Sequence, residues 1–353
     1  MKNSRQVFLK LVRLGLGTTE EDLPKQPDWE AIEALAVQHG LLGVVVDGIQ
    51  RLKKNQSPSQ LIWLQWIGMM MQNEAQYAAQ QKAAIELAQL FHDNGIRTYV
   101  LKGAIVAECY PKPTCRLSAD FDCFLLSAEG DFDAWERGNK LLEDAGFEVK
   151  RNFYKNSTIS VPGLMVENHR YLTAFRGDQR LVSFEKMLQS YLFDDKGGDR
   201  MDGTCLYRPP VMVSALFLIQ HAYSHFLHDG LTWRYVLDWV MFSEKHKAEI
   251  DWREFNARID EFGFRKFYEV FNGIGQDAFG NTYNSQLKAK MLADIWADKK
   301  RHKSVSGFRG KLGLAANTWR ARWKYHYFSP ISMPQALWIQ VKGYLFDKNP
   351  KLS

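Results

Sequence analysis

The chain has 353 residues, 46% hydrophobic and 24% charged, the balance of a soluble globular protein with room for two or three domains. Its four cysteines, Cys109, Cys115, Cys123 and Cys205, form no CxxC pair, which argues against a cysteine zinc site, and the chain is too long to need a disulfide framework; a reducing cytoplasm fits best. The formal net charge is +6, yet Lys299 to Phe346 holds ten Lys or Arg and no Asp or Glu, leaving the remainder at −4. That run suits an anionic partner, and equally a solvated set of helices.

In chain order, MKNSRQVFLKLVRLGLG reads as an amphipathic helix rather than a signal peptide, because Lys10 and Arg13 interrupt its apolar part. Trp29, Ile32, Leu35 and Ala36 recur at helical spacing after the loop with Pro24 and Pro27. A long helix is expected from about Ser57 to His92, stopped by Asn94-Gly95. Its most apolar stretch, LIWLQWIGMMM, is too short to span a bilayer, so no membrane insertion is expected. Next comes IRTYVLKG, a buried strand ending in a glycine turn, then the helix AIVAECY, halted by Pro111 and Pro113. FDCFLL is a strand, DFDAWERGNKLLEDAGF a helix, FEVKRNF a strand, and TISVPGLMVENHRYLTAF further strands. From Pro209 the chain is helical again. The expected class is α+β: a small mixed-sheet core at 95–195, a helical region at 1–94, and a helical region with the basic tail at 196–353.

Asp120 and Asp122 are two apart, which on a strand turns both to one face. Two carboxylates roughly 4 Å apart repel by about 4 kcal/mol at an effective dielectric near 20. A shared proton, a bound cation or basic neighbours would offset this, and Arg116 stands four residues upstream. A divalent, oxygen-loving ion such as Mg²⁺ (or Mn²⁺) would use both acids and keep sites for phosphate oxygens. Lys102-Gly103 ends a strand and opens a helix, where free N–H groups and close backbone approach suit a phosphate. Glu167 supplies a third acid on a later strand, and three such carboxylates can hold two metals around an in-line phosphoryl displacement.

The LKG turn, the RxxxDxD strand (Arg116, Asp120, Asp122) and the acid-x-His strand (Glu167, His169) resemble the uncharacterised nucleotidyltransferase family of the polymerase β-like superfamily. AVQHGLLGVVVDGI around His39, and HAYSHFLHDGLTWRYVLDW with Arg234 and Asp238, extend the likeness to about residues 30–245. The resemblance implies a nucleotidyltransferase core and transfer of a nucleoside monophosphate from an NTP to an acceptor hydroxyl, with pyrophosphate leaving. It implies that Asp120 and Asp122 bind both metals and that Glu167 binds the catalytic metal and takes the acceptor's proton. Lys102, Gly103 and Arg116 would hold the triphosphate. His169, Arg234 and Asp238 would stand behind these groups. Two departures stand out: Ala104 follows the glycine where the superfamily has Ser or Gly, and the Gly103–Asp120 gap is long. Ser118 is the candidate for the missing hydroxyl. The acceptor class stays open between small molecule, protein and RNA.

His221, His225 and His228 share one helical face, a spacing that suits a metal and also suits helix packing. Arg234 and Asp238 are one turn apart and can pair. The chain has no P-loop, no GxSxG and no Rossmann fingerprint. A non-catalytic nucleotide-binding protein that keeps the fold is the alternative class.

Overall fold

Helix ends are written in the local chemistry. The Asp28 carboxylate accepts from Ala31 N–H and opens α2 (Trp29–His39). Asn94 and Gly95, with Gly95 at φ +70°, close the 34-residue α4 (Gln60–Asp93). Asp251 accepts from Arg253 and Glu254 N–H and opens α10 (Trp252–Glu261). The computed structural model describes residues 2–17, 23–24, 26–116, 118, 120–127, 134–152, 154–175, 177–193, 197–279, 286–297 and 319–346. Residues 128–133, the expected start of the DFDAWERG helix, and 298–318 of the basic run lie outside them.

The chain divides into two units. The first comprises Met1–Leu172, Tyr191–Pro210 and Met241–Lys245. Here α1 (Lys2–Gly15) meets α3 (Leu42–Gln50) so closely that a Cβ on Gly48 would lie 2.0 Å from the Leu11 carbonyl oxygen. Only glycine permits that crossing.

The same unit holds a seven-stranded mixed sheet: β1 (Ile96–Val100), β2 (Phe121–Ser127), β3 (Val149–Asn152), β4 (Asn156–Val161), β5 (Leu164–His169), β6 (Asp199–Arg200) and β7 (Leu206–Arg208). Their spatial order is β3-β4-β5-β2-β1-β7-β6. The β2–β5 and β1–β7 pairs are parallel and the others antiparallel. Between β1 and β2 runs α5 (Lys102–Ala107); α6 (Ala134–Asp144) follows β2. Trp135 of α6 donates to the Asn168 carbonyl at 3.0 Å, and Asn168 Nδ2 donates to Asn139 Oδ1 at 2.9 Å. These contacts fix α6 over the face that carries Asn168. By the two-residue period, Glu167 and His169 are on the other face. The sheet also takes in Asp199–Arg208, beyond the expected core limit of 195, because the free edge of β1 pairs with β7. The expected strands after Pro162 stop at His169 rather than running on to Phe175.

The second unit comprises Thr173–Ser190, Val211–Val240 and His246–Ser353. It is helical: α8 (Val211–His228), α10, α11 (Arg265–Phe279), α12 (Gln286–Ile295), α13 (Arg322–Phe328) and α14 (Met333–Phe346) lie wholly within it. Helices α7 (Gln179–Phe193) and α9 (Trp233–Lys245) each begin there and end in residues of the first unit. Phe226 packs edge-on against Phe328 at 5.2 Å, and Tyr223 against Phe264 at 5.1 Å, in an aromatic core. The fold is mixed α+β, with helical segments on both sides of the sheet region in the sequence. No helix among the described residues is long and apolar enough to cross a membrane.

Candidate functional site

The turn between β1 and α5 depends on Gly103, at φ +42° and ψ −101°. A side chain would strain this backbone, and a Cβ there would meet Ser118 Oγ at 3.2 Å. Leu101 N–H donates to the Asp122 carbonyl at 2.9 Å and ties the turn to β2. Ser118 Oγ donates to the Asp120 carbonyl at 2.8 Å, and Gln80 Nε2 of α4 donates to the Ser118 carbonyl at 3.1 Å. Buried Arg116 and half-buried Ser118 line one cleft with Gly103, Asp120 and Asp122.

Strand pairing assembles the centre. In the parallel β2–β5 pair Asp122 stands opposite Glu167, and Phe124 opposite His169. Facing residues on neighbouring strands bring their side chains within about 5 Å. His169 Nε2 donates to Asp122 Oδ1 at 3.0 Å and lies 3.5 Å from Glu167 Oε2, so the tautomer with hydrogen on Nε2 satisfies both acceptors. Asn156 Nδ2 donates to Glu167 Oε2 at 3.1 Å. Lys102 Nζ sits 2.9 Å from Asp122 Oδ1. Ligand atoms of Asp122, Glu167 and His169 lie within 4.8 Å of one another, a group that could hold a metal ion, and the sole such group of three among the described residues.

Electrostatics single out the same point. Burial pushes the Asp122 carboxyl up, but the Lys102 charge and the His169 hydrogen bond outweigh it and hold the group well below the usual carboxylate range. His169 likewise lowers Glu167, against burial and the Asp122 charge. Burial lowers Lys102, yet the charges of Asp122, Asp120 and Glu167 raise it overall. One internal cation therefore feels all three acids. Asp122 Oδ2 is buried and has no hydrogen-bond partner among the described residues. An oxygen held this way, beside a second carboxylate, is a donor suited to Mg²⁺ or Mn²⁺.

Several residues take positions that sequence spacing does not specify. Asp120 precedes β2, which starts at Phe121; it lines the cleft with Asp122 but is outside the three-residue group. Lys102 is committed to Asp122. His169 touches both acids directly. Tyr77, Gln80 and Gln81 of α4 also line the cleft; buried Gln80 in an otherwise apolar helix face is the signal that could have found them. Arg234 and Asp238 lie on α9 in the second unit, Asp238 buried. On α8, His225 Nδ1 pairs with Asp229 at 3.1 Å and His228 Nδ1 donates to the Ser224 carbonyl at 2.8 Å. The His221 ring lies 4.5 Å from that of His225.

Residues 25–276, which hold the glycine turn and the acid-bearing strand pair, match the family model described as "Uncharacterised nucleotidyltransferase". The chain belongs to that uncharacterised nucleotidyltransferase family. No curated protein and no solved structure matches it.

Proposed function

We propose that the protein is a divalent-metal-dependent nucleotidyltransferase, using Mg²⁺ or Mn²⁺ to move a nucleoside monophosphate from an NTP to an acceptor hydroxyl. The observation that carries this reading is the convergence of Asp122 and Glu167 on one sheet face beside the Gly103 turn. Asp120, Asp122 and Glu167 would hold the metal, and His169 would orient the two strand carboxylates through Nε2. When bound, the metal supplies charge neutralisation at the phosphate oxygens.

The chain's own groups then have separable tasks. The peptide around Gly103 offers close backbone approach to a phosphate, and Arg116 offers a guanidinium beside it. Ser118 stands next to Gly103, where it can supply the hydroxyl that Ala104 lacks. Lys102, beside Asp122 at the mouth of the Gly103 turn, would add a positive charge for the phosphates. Glu167 accepts the proton of the attacking hydroxyl. The acceptor oxygen forms a bond to the α-phosphorus as the bond to the bridging oxygen of pyrophosphate breaks.

The test is pyrophosphate release with Mg²⁺, each NTP and a panel of hydroxylated small molecules, proteins and RNA. Glu167→Gln is expected to keep nucleotide affinity and slow transfer by about 10²–10⁴-fold. A Glu167→Gln enzyme as active as wild type would remove Glu167 from its role. Metal-dependent NTP binding without turnover on any acceptor would support a binding protein that keeps the fold.

A further inference from the structure

The transfer chemistry leaves the basic run of Lys299 to Phe346 without a task. Its described part lies in the second unit, where α13, α14 and Lys290 of α12 line an open groove of about 700 Å³. That size falls within the range of about 300–1,000 Å³ found for small organic ligands. Trp319, Trp323 and Tyr327, spaced every fourth residue, line it together with the His326 imidazole. Three cations line it as well: Lys290, Arg320 and Arg322. Among the described residues, no carboxylate does so.

The rings and cations are interleaved. The Arg322 guanidinium lies 4.7 Å from the Trp319 ring centroid, and Lys290 Nζ lies 4.7 Å from that of Tyr327. Trp323 is fixed from behind by edge contacts with Phe226 at 5.7 Å and Phe328 at 6.2 Å. Trp319 is 60% exposed, although burying an indole is a large hydrophobic gain. Lys324 belongs to the core instead: it is buried, donating to the Phe226 carbonyl at 2.7 Å and pairing with Asp294 at 2.9 Å. Packing therefore explains Lys324 and Trp323 but leaves Trp319, Arg320 and Lys290 at the surface.

We propose that this groove binds single-stranded nucleic acid, with bases stacked on the Trp319 and Tyr327 rings or on the Arg322 guanidinium, and phosphates at Lys290 and Arg320. Stacking platforms beside cations are how unpaired strands are held without base-specific contacts. A bare polyanion would use the cations and leave the rings idle. A duplex would keep its bases stacked within the helix and away from the rings. A membrane surface takes an apolar helix face, Trp and Phe included, laid flat with its cations on the opposite side, whereas here the rings and the cations line one groove together. The proposal goes beyond nucleotidyl transfer and does not depend on it.

Fluorescence anisotropy of the full-length protein with labelled 12-residue oligouridine and oligothymidine tests it. Binding of at least one strand is expected, and the stronger arm identifies the sugar. Trp319→Ala should weaken binding roughly 5- to 150-fold, with Trp319→Phe close to wild type. Arg320→Ala should lower the slope of log affinity against log salt by about 0.7. Circular dichroism checks that the variants fold. Four results would overturn the proposal: binding of neither strand, equal binding by Trp319→Ala, equal competition by inorganic polyphosphate of the same charge, or capture by phosphatidylserine vesicles in place of either oligonucleotide.

Discussion

The β2–β5 strand pair and the histidine face of α8 carry similar chemistry and reach opposite outcomes. Both set titratable side chains at regular intervals, on two neighbouring strands in one case and along a single helix in the other. Across the strands, Asp122, Glu167 and His169 come within 4.8 Å of one another. Along the helix, His225 and His228 take local partners, Asp229 and Ser224, one turn away. Pairing between strands juxtaposes groups distant in sequence and buries them together. A single helix face leaves its groups beside neighbours that satisfy them individually. Convergence of side chains from separate elements, more than spacing within one, distinguishes the candidate centre.

The largest expected effect follows from breaking the strand-pair group. Asp122→Asn should abolish divalent binding and transfer together. It should also destabilise the fold by up to about 3 kcal/mol, the low end for breaking a buried pair, because Lys102 keeps Asp120 and Glu167 nearby. Titration calorimetry and urea unfolding read the two effects, and retention of wild-type metal affinity would separate Asp122 from the site.

Gly103→Val sharpens the contrast at the turn. A β-branched residue at φ +42° should cost about 1–3 kcal/mol, and crowding of Ser118 should weaken NTP binding. Unchanged stability and affinity would mean that the turn tolerates a side chain.

Lys102→Met probes the internal cation in metal-free protein. The folded Asp122 carboxyl lies below its unfolded value, so its stabilisation is complete above that unfolded value, near pH 4, and is lost as pH falls through the folded one. Without Lys102 the folded value rises, and the acid-unfolding midpoint followed by circular dichroism should move to higher pH. A midpoint that stays put would contradict the pairing.

The smallest effect belongs to the helix. His225→Ala should change stability by less than about 1 kcal/mol and leave metal affinity unaltered, since its partner Asp229 is exposed and stays solvated without it. A drop in metal affinity would make α8 a second centre.

Much of this arrangement was legible in the sequence, for physical reasons that also mark where it stopped. Strands β1 and β2 announce themselves through short apolar runs bounded by Gly and Pro, and Asn94-Gly95 marks the end of α4. Strands β6 and β7, two and three residues long, carry no period; they exist because β1 offers an edge. The three acids were visible as motifs, but the direct contacts of His169 with both strand acids depend on the β2–β5 register. Asp120 falls before the first paired residue, which alternation alone does not reveal. Gln80 and Gln81 reach the cleft from a helix forty residues upstream of Asp120, a proximity that only tertiary packing creates.

The most direct measurement is anomalous diffraction from crystals soaked in Mn²⁺ with a non-hydrolysable NTP analogue. The expected result is a peak within ligand distance of carboxylate oxygens of both Asp122 and Glu167, with triphosphate density reaching the Gly103 turn. A peak at His221, His225 and His228, with none at the strand pair, would contradict it.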